Sequence, residues 1–185
     1  MAGVTGGREL GRRTQRNNYT QRGLHVSDNE RFLKKVSGNL YDSDSEACSV
    51  ALEELRDLLL NVGFTVYKKA VREATLRVYP TKPATYPLLN PCFVEKDQVH
   101  GAESLTVHVL SRKDNGGIDR QLATFTSTPA CSFVAYPAGS PKYYRHHGDF
   151  ILPLNFSGEP GAQEIDFASL RAPLTQILHL LRQPA

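Results

Sequence analysis

Apolar residues recur at three- and four-residue spacing through Ala47, Val50, Ala51, Leu55, Leu58, Leu59 and Val62, which predicts an amphipathic helix over about 44–62. Ser43-Asp44-Ser45-Glu46 supplies a capping hydroxyl, a Glu three residues beyond Ser43, and acids suited to the positive end of the helix dipole. Gly63 is the stop signal. Cys48 lies beside the apolar stripe and reads as a packing residue. Upstream, Glu30 to Val36 offers one or two helical turns, with Phe32, Leu33 and Val36 on one edge.

Past Gly63 the period shortens to two. Phe64–Tyr67 and Ala74–Tyr79 are β-branched and aromatic and read as a hairpin, with Lys68, Lys69 and Arg72 near its tip. Pro80, Pro83, Pro87 and Pro91 then predict a long connecting loop, because proline has no ladder donor. Leu105, Val107 and Val109 alternate with Thr106 and His108, so a strand is expected with His108 facing solvent. Asp114-Asn115-Gly116-Gly117 reads as a tight turn, and Ile118–Thr128 as the return strand. Cys131–Tyr136 is another strand, and Asp149–Leu154 a last one, assigned to an edge because of Pro153.

At the carboxyl end, Phe167, Leu170, Leu174, Ile177, Leu178 and Leu181 share one face of a second helix over about 165–183, kinked or restarted at Pro173. A helix, several hairpin-linked strands and a closing helix imply an α+β fold. The expected architecture is an antiparallel sheet of five to seven strands, packed by an N-terminal-side helix and a C-terminal helix on one face. The other face is left as a candidate binding surface.

The first 23 residues break this pattern. They are rich in Gly, Arg, Gln, Asn and Thr with few apolar positions, which predicts a disordered arm ahead of one domain spanning 24–185. Residues 1–35 carry eight cations against three carboxylates, a net +5, whereas the remaining 150 residues carry fourteen against sixteen. Affinity for polyanions is therefore expected in the arm, through Arg8, Arg12, Arg13, Arg16 and Arg22, with Lys34 and Lys35 behind them. Five arm contacts to duplex phosphates would give a salt slope of about −4.5.

The densest polar run in the body is Lys142-Tyr143-Tyr144-Arg145-His146-His147-Gly148-Asp149, read as a glycine-bounded loop. Its cations suit phosphates and its rings suit unpaired bases. A catalytic reading makes His146 or His147 a general base oriented by Asp149, with no nucleophile identifiable. A metal reading would need His100 or His108 brought near by the fold.

Three widely spaced cysteines argue against a disulfide framework and for a reducing compartment, cytoplasmic or nuclear. No apolar run reaches the roughly 20 residues a spanning helix needs, and no phosphate-cradling glycine motif occurs. No cofactor is implied. The leading expectation is a non-enzymatic nucleic-acid-binding protein, RNA before DNA, using the arm, the hairpin tip and Lys142, Tyr143, Tyr144, Arg145 and His146. The first alternative is an assembly or adaptor subunit docking through the sheet face or the C-terminal helix. The second is a hydrolase-like enzyme built on His146, His147 and Asp149.

Overall fold

The computed structural model describes residues 38–68, 76–82, 84–85, 87–97, 101–112, 116–136, 145–158 and 164–183. Along them run α1 (Glu46–Val62), β1 (Thr65–Lys68), β2 (Leu76–Tyr79), β3 (Leu88–Val94) and β4 (Ser104–Ser111). There follow α2 (Gly116–Ala123), β5 (Ser132–Ala135), β6 (Arg145–Pro153), β7 (Phe156–Ser157) and β8 (Glu164–Ile165). A 3₁₀ turn (Phe167–Leu170) then leads into α3 (Arg171–Arg182). Strands β1 to β6 form one antiparallel sheet in the order β1-β2-β3-β4-β6-β5, which is the α+β arrangement expected. The anticipated 1–23 arm and the 30–36 turns lie outside the described residues.

Helix α1 forms where the apolar period places it and buries Ala47, Ala51, Leu52, Leu55 and Leu59. Its cap is Ser45, whose Oγ accepts from the Cys48 N–H at 3.0 Å, so the helix starts two residues later than a Ser43 cap would set. Gly63, at φ 120°, ends it by donating its N–H to the Leu59 carbonyl at 3.1 Å, a left-handed conformation that side chains resist. The α3 stripe Leu174, Ile177, Leu178 and Leu181 is 0–6% exposed and packs in the core, so it is no docking surface. Pro173 sits in the first turn of α3, where the missing N–H is harmless.

Four expectations are overturned. The 80–91 loop ends early, because β3 begins at Leu88 and carries Pro91 between β2 and β4. The β2–β3 ladder registers only Val78 with Leu89. Beyond it the Asn90 side-chain amide donates to the Leu76 carbonyl at 3.3 Å, serving the acceptor that Pro91 cannot. Residues 116–123 are helix α2, not a return strand. Ile118 and Leu122 bury on one side, four apart, and the place beside β4 goes to β6 instead. Strand β6 is interior, between β4 and β5, and only its last residue is Pro153, so no ladder is broken there. Residues 145–149 belong to this strand and not to a loop.

The cysteines are free thiols, and burial raises Cys48 and pushes Cys131 up to about 12, which suits packing and not nucleophilic chemistry. On the sheet face turned away from the α1–α3 core, Leu88, Thr106 and Ile151 are buried, so that face is not bare throughout. No helix among the described residues is long and apolar enough to cross a membrane.

Candidate functional site

Antiparallel pairing sets His108 of β4 directly opposite Asp149 of β6. Asp149 Oδ1 accepts from His108 Nδ1 at 2.6 Å and from His146 Nε2 at 2.8 Å, while Oδ2 accepts from the Tyr136 hydroxyl at 2.6 Å. Cys92 of β3 places its Sγ 3.4 Å from His108 Nε2. The His146 ring meets the His108 ring edge-on at 5.2 Å and lies over Tyr136 at 4.3 Å. His108 was expected to face solvent alone. Its ring is instead one-third exposed and bonded at both nitrogens.

A bulge makes this convergence possible. The β4–β6 register slips between Val109 and Leu110, which pair with Gly148 and His146, so His147 is the extra residue. Strict alternation would put His146 and Asp149 on opposite faces, and the bulge returns them to the same one. Gly148 is the residue that allows it, since an added Cβ would run into the Phe133 ring and the Val134 carbonyl.

The charges follow from the contacts. The hydrogen bond to Asp149, helped by Cys92 and opposed by burial, pushes His108 up to about 10, so the ring is a cation at neutral pH. Burial raises Asp149, but the hydrogen bonds from His108, Tyr136 and His146 outweigh it and hold the carboxyl below its ordinary value. The carboxylate in turn pushes the Tyr136 phenol up to about 12. Asp149 is thus a buried anion held by three donors, with two imidazoles at the surface above it.

The other side of β6 carries a second constellation. His147, fully buried, donates from Nδ1 to Asp119 Oδ1 of α2 at 2.6 Å, and the Ser111 hydroxyl donates to its Nε2. Arg145 pairs with Asp119 Oδ2 at 2.9 Å. A cleft of about 380 Å³ opens here, lined by Asp119, Leu122, Phe125, Phe133, Arg145 and His147. The order serine, histidine, aspartate is that of an acyl-transfer relay. Ser111, however, is 1% exposed and does not line the cleft, so no substrate carbonyl reaches its Oγ. These bonds fasten α2 to the sheet. The catalytic grouping of His146, His147 and Asp149 is therefore divided: His146 and Asp149 meet, and His147 belongs to the opposite face.

Of the residues expected to contact nucleic acid, Arg145 and His146 are described with their partners, and Lys68 closes β1. Arg8, Arg12, Arg13, Arg16, Arg22, Lys34, Lys35, Lys69, Arg72, Lys142, Tyr143 and Tyr144 lie outside the described residues. Arg145 is turned to Asp119 and the cleft, away from His146. Asp149, His108, Tyr136 and Cys92 were missed as a group. The usable signal was a glycine inside a β-rich run, with histidine and aspartate three apart around it. Comparison with known proteins finds no matching family model, no similar curated protein and no similar solved structure.

Proposed function

We propose that the chain binds single-stranded nucleic acid, RNA before DNA, laid across the sheet face that bears His108. The observation that carries this reading is a row of side chains running straight across the strands. Tyr67 pairs with Arg77, the Val78–Leu89 register sets Arg77 opposite Asn90, and Asn90 pairs with His108 and His108 with Asp149. Tyr67 and Tyr136 are 52% and 43% exposed and stand at the two ends of this face, with Tyr79 and His146 beside them. Rings stack on bases whatever their identity, and the guanidinium and amide reach phosphates and base edges. Five interstrand steps of about 4.8 Å give a track of roughly 24 Å, room for the few nucleotides at the short end of single-strand site sizes.

In this reading the arm arginines supply attraction that does not depend on sequence, and the face supplies stacking. Fluorescence anisotropy with a labelled single-stranded oligonucleotide, titrated at several salt concentrations, tests both parts. Five phosphate contacts from the arm would give a slope of about −3.5, flattened by deletion of residues 1–22. Tyr67→Ala and Tyr136→Ala should each weaken binding by about 1–3 kcal/mol. Affinity unchanged in the double variant would remove the sheet face from the reading, and unchanged slope after deletion would remove the arm.

A further inference from the structure

We propose that His108, His146 and Asp149 form a binding site for one divalent transition-metal ion of the zinc and cobalt class. Each contributes one ligand atom, and the three atoms lie within 4.8 Å of one another. Bonds of about 2.0–2.2 Å to a single ion set neighbouring ligand atoms roughly 3–3.5 Å apart. His108 Nδ1 and His146 Nε2 stand 2.6 and 2.8 Å from the same Asp149 oxygen, so each of these two separations opens by less than about 1 Å to admit the ion. Two imidazoles with one carboxylate favour zinc, cobalt, nickel or ferrous iron, and disfavour magnesium and calcium, which prefer all-oxygen sets.

The surroundings are those of a ligand site and not of a chance surface trio. Tyr136 fixes the carboxylate through the oxygen His108 and His146 do not use, and Cys92 sits on the far nitrogen of His108. Such outer partners orient metal ligands and set which ring nitrogen faces the ion. All three ligands stand on paired interior strands, which hold them more tightly than a loop would. Asp149 is 7% exposed beneath, whereas His108 and His146 are 32% and 36% exposed, so an ion enters from solvent and keeps open positions for water. The inference does not depend on the nucleic-acid reading, because the probe is the metal alone.

The full-length chain, stripped with EDTA and desalted, is titrated with Co(II) by visible absorption and with Zn(II) by calorimetry. One saturable site is expected, with Zn(II) displacing Co(II). His146→Ala, at a ring one-third exposed, should weaken binding at least about 100-fold with the circular dichroism unchanged. His146→Gln repeats the test should the alanine variant fail to fold. Tyr136→Phe should cost roughly tenfold while keeping the Co(II) spectrum, as an orienting partner does and a ligand does not. His179→Ala, at an exposed position of α3, should change nothing. Absence of saturable binding in the wild type, or one-to-one binding untouched by either His146 variant, overturns the proposal.

Discussion

Strand β6 separates two constellations built from the same residue types, and they differ in where water stands. On one face Asp149 lies buried while its histidines reach the surface. On the other the order is reversed: His147 is sealed in and its carboxylate partner Asp119 is 38% exposed. A buried anion under exposed imidazoles stands where an incoming ion or base reaches the rings from solvent. A buried imidazole between a hydroxyl and a surface carboxylate has no free valence, and it acts as a tie between α2 and the sheet. Accessibility, not residue identity, distinguishes the reactive grouping from the structural one.

The largest expected effect breaks both sides at once. Gly148→Val drives a side chain into Phe133 and the Val134 carbonyl, undoes the bulge, and should lower stability by about 3–4 kcal/mol in urea denaturation. Asp149→Asn leaves the His108 cation without its buried counter-charge and should cost about 2–3 kcal/mol in EDTA, while Asp119→Asn, at the exposed carboxylate, should cost about 1. Equal costs for the two variants would mean that burial does not distinguish the two carboxylates.

Ser111→Ala removes the hydroxyl on His147 and should cost about 1–2 kcal/mol without changing oligonucleotide or metal titrations. Altered binding in that variant would instead give the cleft side a functional role. The smallest effect is in pH. His108 is raised in the fold, so its contribution is complete below the ordinary value of about 6.5 and is lost as pH climbs toward about 10. Asp149 is lowered, so its contribution is present above about 3.9 and is lost as pH falls through its depressed value. The unfolding free energy from urea denaturation in EDTA should therefore be highest near pH 4–6.5 and decline by about 1 kcal/mol toward pH 9, a modest figure because a third of the His108 ring is hydrated. Asp149→Asn should flatten that decline.

Local physics was enough to read α1, the β1–β2 pair, β4, β5 and the α3 stripe from the chain, because each is written as a period of apolar positions closed by a glycine, a hydroxyl or a proline. Ile118 and Leu122 carried a helical spacing too, but Asp114-Asn115-Gly116-Gly117 resembled a hairpin turn, and only the presence of β6 beside β4 excludes a returning strand. Pro91 looked forbidding because a proline's cost depends on which neighbour needs the missing donor. In place, the Asn90 amide meets that need.

Composition and periodicity thus determined the class of fold, the two long helices and their buried stripes, since those depend on residues within a few positions of one another. The site depended on the tertiary structure. His108 and Asp149 are 41 residues apart, and they meet because β6 inserts between β4 and β5. His146 joins them because one extra residue beside Gly148 reverses the alternation. Strand partnership and bulge register are long-range choices settled by the packing of the whole sheet, and a single sequence carries no local mark of either.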